Sequence, residues 1–195
     1  MIKKYGLLRS LGLFISLVKT KLLFKRARLI RFPIDIRNKH LMSVDEGFTT
    51  GKYCRIEMHN EGKVRLKIGK NVQLNDSVHI VSGVSVVLED NVLIASKVFI
   101  SDCSHGSYGN NDYHDNPESI PADRELYYQA VKICKNAWLG EFVSVLPGVT
   151  IGEGSIIGTM SVVTSDIPPY CIAVGSPAKV VKKFNFKINK WEKTV

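Results

Sequence analysis

A six-residue period governs the carboxy-terminal half of this chain and limits the folds open to it. Every sixth residue over 133–163 is aliphatic, and a small or branched residue follows each of them four positions later. The first set is Ile133, Leu139, Val145, Ile151, Ile157 and Val163, and the second is Ala137, Val143, Val149, Ser155, Ser161 and Ile167. A period of six matches neither an α-helix nor a simple alternating strand. It predicts a solenoid of short parallel strands, in which one aliphatic side chain of each hexad points inward.

A second block with the same period lies earlier in the chain. The expected inward residues are Ile68, Leu74, Ile80, Leu88, Ile94 and Ile100, with companions at Val72, Val78, Val84, Val92 and Val98. A slip of two residues at Val86 and Val87 separates the halves of this block, and we interpret it as a bulge at a corner of the coil. Residues 29–67 carry only short strand signals, so we expect irregular first coils there.

Two further segments depart from the period. Residues 106–130 replace the aliphatic ladder with Gly, Asn, Asp and Pro, and a long excursion of this kind within a compact repeat is usually functional. Pro168 and Pro169 forbid a continued ladder. We therefore expect a β-helix domain over 29–183 with an excursion at 106–130, and a short helix or strand over 184–195 that caps the last coil.

The positive charge of the chain is concentrated at its amino terminus. The net charge is +9, and residues 1–31 contain nine Lys or Arg and no Asp or Glu, so the remainder is balanced. Apolar residues recur there at three or four positions, which predicts an amphipathic helical arm over 1–28. We expect neither a membrane span nor a signal peptide. Contact with an anionic membrane surface stays open, as does packing on a neighbouring subunit or across the solenoid end.

Two classes of function are not expected from the sequence: zinc or redox chemistry at the cysteines, and nucleic-acid binding by the basic arm. Cys54, Cys103, Cys134 and Cys171 have a spacing that matches no zinc or redox motif, so we expect reduced thiols in a cytoplasmic protein. A reactive role for Cys103 stays open, because it lies close to His105 in the sequence. No recognised nucleic-acid-binding motif accompanies the arm, so nucleic acid is not an expected partner.

The segment 138–158 and two motifs after it resemble a known family. Trp138-Leu-Gly-Glu-Phe-Val-Ser-Val-Leu-Pro-Gly-Val-Thr-Ile-Gly-Glu-Gly-Ser-Ile-Ile-Gly precedes Val-Val-Thr-Ser-Asp-Ile-Pro-Pro and Gly-Ser-Pro-Ala-Lys-Val-Val. These runs resemble the hexapeptide-repeat acyltransferases, within them the galactoside, maltose and lipopolysaccharide O-acetyltransferase branch. The resemblance covers about residues 68–183. It implies an all-β solenoid, a left-handed parallel β-helix, that forms a homotrimer with active sites between subunits and uses acetyl-CoA.

Acetyl transfer to a hydroxyl needs a base for that hydroxyl and hydrogen-bond donors for the oxyanion that forms. In the family the base stands where the excursion leaves the coil, which implies His105, with Asp102 or a backbone carbonyl as its orienting partner. The resemblance also implies that Asn75 binds the acceptor or steadies the oxyanion, although an Asn that stabilises its own turn is the alternative. His79 and His114 are candidate acceptor contacts.

The resemblance further implies a donor site along the coil edges. Its expected residues are the backbone at Ala95, Gly140 and Gly158, with Thr159 and Thr164 nearby, and Lys179 and Lys182 at the coenzyme phosphates. Small residues suit this role because the ligand must approach the main chain closely. The carboxylate that relatives use on the acceptor maps near Gly83, where this chain has none, and we expect no metal ligands.

The implied function is an acetyl-CoA-dependent O-acetyltransferase that acts by direct transfer on a sugar hydroxyl in bacterial surface-polysaccharide synthesis (O-antigen or capsule). The basic arm suits an acceptor on a membrane lipid or a phosphate-bearing sugar. Three other functions stay open: an N-acetyltransferase acting on an amino-sugar nucleotide, a zinc hydratase of the carbonic anhydrase type using His79, His105 and His114, and a non-catalytic solenoid. We expect a cytoplasmic location, with contact at the inner face of the membrane left open.

Overall fold

The computed structural model describes residues 2–59, 62–109 and 114–194, with side chains from Gly6 onward. In chain order the elements are helix α1 (Ile2–Leu23) and strands β1 (Asp35–Arg37), β2 (Met42–Val44), β3 (Thr49–Thr50), β4 (Arg55–Met58), β5 (Leu66–Ile68), β6 (Gln73–Leu74), β7 (His79–Ser82), β8 (Val86–Leu88), β9 (Leu93–Ile94), β10 (Phe99–Ser101), β11 (Cys103–His105), β12 (Leu126–Tyr128), β13 (Val131–Ile133), β14 (Trp138–Leu139), β15 (Ser144–Val145), β16 (Thr150–Ile151), β17 (Ile156–Ile157), β18 (Val162–Val163), β19 (Cys171–Val174), β20 (Lys179–Asn185) and β21 (Lys190–Lys193). Short 3₁₀ turns span Lys39–Leu41 and Pro121–Asp123.

The strands form a solenoid with three faces, as the six-residue period predicts. Each coil contributes one strand to each face, and each strand pairs in parallel with the next strand along that face. Face 1 contains β1-β4-β7-β10-β15-β18, face 2 contains β2-β5-β8-β13-β16, and face 3 contains β3-β6-β9-β14-β17-β19. The chain runs from face 1 to face 2 to face 3 and returns to face 1 one coil further on.

The predicted aliphatic ladder forms the core. All six residues of the first set, from Ile133 to Val163, are fully buried, and their companions are at most 3% exposed. Fully burying such a side chain stabilises the fold by roughly 1.5–3 kcal/mol, so the ladder supplies most of the driving force for coiling. Val84 is the exception among the predicted companions: it is 39% exposed, because the corner after Ser82 turns around Asp102.

The first coils are more regular than the sequence predicts. Strand β1 pairs with β4 without a break, from Asp35 opposite Arg55 to Arg37 opposite Glu57. Strand β2 pairs with β5 in the same way. The short strand signals of this region therefore form complete coils, because the register of the later coils continues into them.

The excursion leaves the coil three residues earlier than predicted. Strands β11 and β12 form an antiparallel hairpin in which Cys103 lies opposite Tyr128 and His105 opposite Leu126. The Gln129 backbone N–H donates to the Asp102 carbonyl at 2.8 Å, which closes the base of the hairpin. The excursion is thus an insertion between faces 1 and 2 with a narrow neck.

Helix α1 lies against the first coil, with a non-helical backbone at Gly6 (φ 73°). Its Thr20 hydroxyl accepts a hydrogen bond from the Ile30 N–H at 2.8 Å, and its Ser16 hydroxyl accepts one from the Phe32 N–H at 3.4 Å. Within the described residues no helix has the length and apolar character to cross a bilayer.

The carboxy-terminal residues fold back as an antiparallel hairpin of β20 and β21 on β19. Phe184 packs edge-on against Phe186 and Trp191, and Phe186 packs edge-on against Tyr170. The expected cap is therefore a strand hairpin, and its first strand begins at Lys179, before the predicted start of the cap.

Candidate active site

His105, the predicted base, ends the outgoing strand of the excursion hairpin. Its carbonyl accepts a hydrogen bond from the Tyr108 hydroxyl, and that hydroxyl accepts one from Arg124 Nη1 at 2.6 Å. The side chain is exposed. No hydrogen-bond partner of the imidazole occurs among residues 2–59, 62–109 and 114–194. The backbone of His105 is thus fixed, while its ring faces solvent.

Asp102, one of the two predicted orienting partners, has a different role. It is fully buried, and its carboxylate accepts hydrogen bonds from three consecutive backbone N–H groups, those of Gly83, Val84 and Ser85, at 2.7, 2.9 and 2.7 Å. A carboxylate that accepts several backbone hydrogen bonds is held in one orientation. It therefore fixes the corner of the coil below and is not available to the His105 ring.

Gly83, near which the family resemblance predicts an acceptor carboxylate, lies in this same corner. A Cβ atom built on Gly83 would lie 1.9 Å from Cε1 of Tyr128. No side chain fits there while Tyr128 of the hairpin packs over the corner. This chain therefore uses the position to seat its excursion, and any acceptor carboxylate must come from elsewhere.

Three predicted donor-site residues, Ala95, Gly140 and Gly158, stack with Asn75 along the edge between faces 3 and 1. Asn75, Ala95, Gly140 and Gly158 occupy the same position in successive coils, and we call them the edge column. Their backbone N–H groups donate to Ile94, Leu139, Ile157 and Ala173 carbonyls at 2.8–2.9 Å. Thr159 follows Gly158 and is exposed. The sequence prediction of these residues thus converges on one continuous edge.

Close packing of the coils requires glycine at two positions of the edge column, Gly140 and Gly158. A Cβ atom on Gly140 would lie 2.8 Å from the backbone nitrogen of Thr159, a distance that real Cβ contacts do not reach. One on Gly158 would lie 2.7 Å from Cγ1 of Val174. The column therefore presents main chain with little side chain over it, which suits a ligand with amide groups.

The two lysines predicted at the coenzyme phosphates differ in position. Lys179 pairs with Val174, the residue above Gly158 in the next coil, so it continues the edge column. Lys182 pairs with Ile172, further back on face 3. Thr164 follows β18 at the opposite end of face 1. Only Lys179 of these three lies in line with the column.

Asn75 is engaged in part by the two neighbouring coils. Its side-chain amide donates to the Ile94 carbonyl at 3.0 Å, and its own carbonyl accepts the Cys54 thiol at 3.1 Å. These bonds join Asn75 to the coils on either side, and none of them closes its own turn. An amide has a second N–H and a carbonyl oxygen, so Asn75 keeps groups for a ligand.

Face 1 carries a charged cluster that the sequence did not reveal. Glu57 Oε1 lies 3.0 Å from His79 Nε2 and also contacts the Arg55 guanidinium, while Glu57 Oε2 lies 2.9 Å from Arg37 Nη1. The ring of His79 packs at 5.3 Å from that of Phe99. Register alone places these residues together, because Arg55 and His79 are cross-strand partners.

The environment of Glu57 keeps it ionised. Burial raises the pKa of this carboxyl, but hydrogen bonds from His79 and Arg55 and the charges of Arg55 and Arg37 outweigh that effect. The net pKa of Glu57 therefore lies below its usual value. His79 is thus held by a carboxylate at Nε2.

The four cysteines are free and unreactive by environment. Burial raises the pKa of Cys54 to about 11. Burial also raises the pKa of Cys103, to which the charges of Asp102 and Glu57 contribute. Because the thiolate is the nucleophile, these thiols are poor candidates for acyl-enzyme formation.

The candidate residues do not all meet within one chain. His79 begins β7 beside the edge column, whereas His105 lies beyond the far end of face 1. A four-residue strand of that face spans roughly 13 Å. His114 is exposed on the excursion. In the described part of the chain no three His, Cys, Asp or Glu side chains are grouped as metal ligands.

Comparison with known proteins places this architecture among the transferases. The family model described as bacterial transferase hexapeptide (six repeats) matches residues 130–165. A protein of Escherichia coli strain K12, provisionally named as the lipopolysaccharide biosynthesis O-acetyl transferase WbbJ, is 41% identical over 191 residues, which are 98% of this chain and 96% of that protein.

Two solved structures are similar to the fold. A galactoside acetyltransferase in complex with coenzyme A has a TM-score of 0.55 and 28% identity over 76% of this chain and 68% of its own. A single-residue mutant of AntD, an N-acyltransferase from Bacillus cereus in complex with dTDP-4-amino-4,6-dideoxyglucose and coenzyme A, has a TM-score of 0.68 and 21% identity over 84% of this chain and 83% of its own. The second likeness concerns the fold alone.

Proposed function

Because the chain belongs to the hexapeptide-repeat acyltransferases, we propose that it is an acetyl-CoA-dependent O-acetyltransferase that modifies a sugar hydroxyl in bacterial surface-polysaccharide synthesis. The observation that carries this proposal is the identity of 41% over 98% of the chain to a protein named for lipopolysaccharide O-acetylation. The stacked edge column and the exposed His105 ring support it, since they supply main-chain groups for a thioester ligand and a base.

In the proposed reaction the acceptor oxygen attacks the thioester carbonyl carbon directly. His105 takes the hydroxyl proton as the C–O bond forms, and a general base in such a position contributes about 10²–10⁴-fold. The carbon–sulfur bond then breaks, and the coenzyme thiolate takes the proton from His105. Asn75 is the candidate donor for the transient oxyanion, because an amide N–H stabilises negative charge without titrating. The raised pKa values of the cysteine thiols favour this direct route over an acyl-enzyme.

We propose a homotrimer with the site between copies. The edge column and His105 lie at opposite ends of face 1, so one chain alone does not bring them into a single site. A neighbour that places its excursion hairpin against the edge column completes the set. His79 and His114 are then acceptor contacts from the two sides of this cleft, and Glu57 supplies a carboxylate behind His79.

One observation bears on each of two other functions. The fold likeness to AntD is compatible with acetylation of an amino-sugar nucleotide. A zinc hydratase would require His79, His105 and His114 to converge from different copies, but Glu57 already occupies Nε2 of His79. Metal analysis of the purified protein separates the hydratase from both acetyltransferases.

Incubation with labelled acetyl-CoA and a panel of nucleotide sugars and lipid-linked sugars, followed by mass spectrometry, tests the proposal. An ester-linked acetyl group, labile to mild base, is the expected product. An alkali-stable amide would identify an N-acetyltransferase instead. Absence of acetyl-CoA binding by the folded protein would contradict both.

A further inference from the structure

Helix α1 exposes an unusual apolar surface. Seven of its described side chains lie on one side of the helix at intervals of three or four residues, and each is 45–85% exposed; we call them the outer stripe: Leu7, Leu8, Leu11, Phe14, Ile15, Val18 and Leu22. On a helix with 3.6 residues per turn these positions share one face. A contiguous exposed patch of this kind indicates an interaction site.

The polar side of α1 faces the protein. Ser10 and Ser16 are 5% exposed, Thr20 is fully buried, and the last two hydrogen-bond to the backbone of the first coil. A surface helix ordinarily buries its apolar stripe and exposes its polar side. The orientation of α1 is the reverse, so the outer stripe contributes nothing to the fold of this chain and is open to a partner.

Charge identifies the partner of the outer stripe as an anionic lipid surface. Residues 1–31 contain nine basic residues and no acidic residue. A second copy of α1 would bring the same positive charges into contact, whereas an anionic bilayer supplies both an apolar interior and negative headgroups. Each basic residue near such a surface contributes on the order of 1 kcal/mol.

A cleft behind α1 has matching chemistry. It has a volume of about 480 Å³, and its lining combines apolar and basic side chains with glycine, serine and one acid, Asp76; the lining residues are Leu8, Arg9, Gly12, Leu13, Ser16, Arg31, Phe32, Lys52 and Asp76. Arg9, Arg31 and Lys52 form no ion pair within the described ranges. The cleft therefore offers cations and an apolar wall to the same ligand.

The cleft adjoins the edge column. Asp76, which lines it, follows Asn75 directly, and the Asp76 carboxylate accepts the Lys52 backbone N–H at 2.7 Å. A ligand whose phosphate lies at Arg31 and Lys52 would have its next sugar beside Asn75. The outer stripe and the cleft thus lie on adjoining sides of one helix and meet at Leu8. The outer stripe would sit at the membrane surface while the cleft faces the candidate site.

We propose that α1 seats the protein on an anionic membrane through its outer stripe, and that the cleft behind it binds the phosphate of a lipid-linked sugar, which is the acceptor. This inference rests on the proposed acetyl transfer and names its substrate class. It favours a membrane-carried acceptor over a phosphate-bearing sugar in solution, because a free sugar needs no outer stripe.

Vesicle flotation tests the membrane seat. The full chain is mixed with vesicles of phosphatidylglycerol and phosphatidylcholine, and with phosphatidylcholine alone. Leu11→Ser/Phe14→Ser/Val18→Ser should weaken binding to the anionic vesicles about tenfold or more, since it removes three large apolar contacts. Phe186→Ser/Ile188→Ser, which removes exposed apolar side chains from the carboxy-terminal hairpin, should bind like wild type.

Size-exclusion chromatography with light scattering tests the alternative that α1 is a subunit contact. If the outer-stripe variant changes its oligomeric mass and wild type binds no vesicles, α1 is a subunit contact and the proposal fails. Circular dichroism melting checks that each variant is folded. Single changes Leu11→Ser and Phe14→Ser, with graded losses, keep the test valid if the triple variant unfolds.

Calorimetry with farnesyl phosphate, farnesol and inorganic phosphate tests the cleft. Farnesyl phosphate should bind at least tenfold more tightly than either of the others. Arg31→Gln/Lys52→Gln should lose that preference, and Lys67→Gln/Lys70→Gln, two exposed lysines on another part of the coil, should keep it. Equal affinity for inorganic phosphate would overturn the lipid-linked acceptor. Vesicle flotation and calorimetry do not depend on acetyl transfer. Their results therefore stand even if the transfer assay fails.

Discussion

The His105 ring projects from a fixed backbone. Strand pairing with Leu126 and the Tyr108 hydroxyl hold its main chain, and Arg124 holds Tyr108 in turn. A base whose backbone is fixed and whose side chain is exposed can be oriented by a ligand or a neighbouring chain. Its position at the end of the outgoing strand β11, more than any partner in its own chain, therefore distinguishes His105 from the other histidines.

Replacement of His105 by Ala should lower acetyl transfer about 10²–10⁴-fold, because the acceptor hydroxyl loses its base. Acetyl-CoA affinity and thermal stability should stay near wild type, since the side chain is exposed and the described residues include no hydrogen-bond partner of the ring. Steady-state kinetics and calorimetry measure the two effects. His40→Ala, an exposed histidine far from the hairpin, is the matched control, and equal turnover in both variants would remove His105 from its role.

Glu57 holds face 1 through a buried carboxylate. Its folded-state pKa is lowered by His79, Arg55 and Arg37, so its contribution to stability is present above the pKa of the unfolded chain. That contribution is lost as the pH falls through the lower folded-state pKa. The cluster should therefore matter at neutral pH and lose its effect in acid.

Glu57→Gln should reduce stability at pH 7 by about 1–2 kcal/mol, because it removes charge-assisted hydrogen bonds. The difference from wild type should shrink in acid, as the wild-type carboxylate becomes protonated. Thermal melts over a pH series measure this, and Glu46→Gln, at an exposed acid, should follow wild type throughout. A difference that is constant with pH would show that charge is not the cause.

Among the elements, the edge column and β20 form one line along the solenoid. Gly140 and Gly158 keep the coils close, and Lys179 stands above them opposite Val174. A cofactor that lies along backbone amides would therefore end at this lysine. Lys182, two pairs back on β20, is further from that line.

Lys179→Ala should raise the KM for acetyl-CoA several-fold and leave the KM for the acceptor near wild type, because a phosphate contact acts on the donor. Lys182→Ala should have a smaller effect. Lys190→Ala, on β21 of the same hairpin, should have none. A larger change in the acceptor KM would contradict a phosphate contact at Lys179.

The coil could be predicted from the sequence because its period is strict. Ile133, Leu139 and Val145 each occupy the inward position of their hexad, so periodicity alone predicts their burial. Val84 broke the pattern because its corner is shaped by Asp102, which lies a full coil later. Local spacing cannot encode that contact.

The candidate site was only partly predictable. Gly140 and Gly158 lie in the repeat, so the period alone predicts that they share one position in their coils, while their role at the donor stays a prediction. Glu57 was missed, since a Glu between Ile56 and Met58 looks like any outward residue of a strand. Only register brings it to His79 and two arginines. The orientation of α1 was also not predictable, because a helical period does not say which side the body will take.

For the whole molecule, the arrangement of face 1 predicts shared sites. The edge column occupies one end of the face and the excursion hairpin the other. In a closed ring of identical copies each hairpin can meet the edge column of its neighbour. Catalytic residues would then come from two chains at every site.

Mixed oligomers should recover activity. His105→Ala lacks the base, and Ala95→Trp blocks the edge column, so each should be inactive alone. When the two variants are co-expressed, about a quarter of the shared sites should receive an intact His105 from one chain and an intact edge column from its neighbour. Random assortment in a ring should therefore restore about a quarter of the wild-type turnover. Recovery measured on the purified mixed species would support shared sites, whereas complete inactivity would place both residues in a site of one chain.

The narrow neck of the excursion has a consequence for how such proteins diversify. The insert departs after Asp102 and returns at Gln129, two residues already tied to each other, and the Asp102 carboxylate secures the adjoining turn of the rod. Its interior can lengthen, shorten or be exchanged without disturbing the ladder beneath. A lineage could acquire specificity for new sugars by grafting at this one junction, while the machinery that holds the acetyl carrier is inherited untouched.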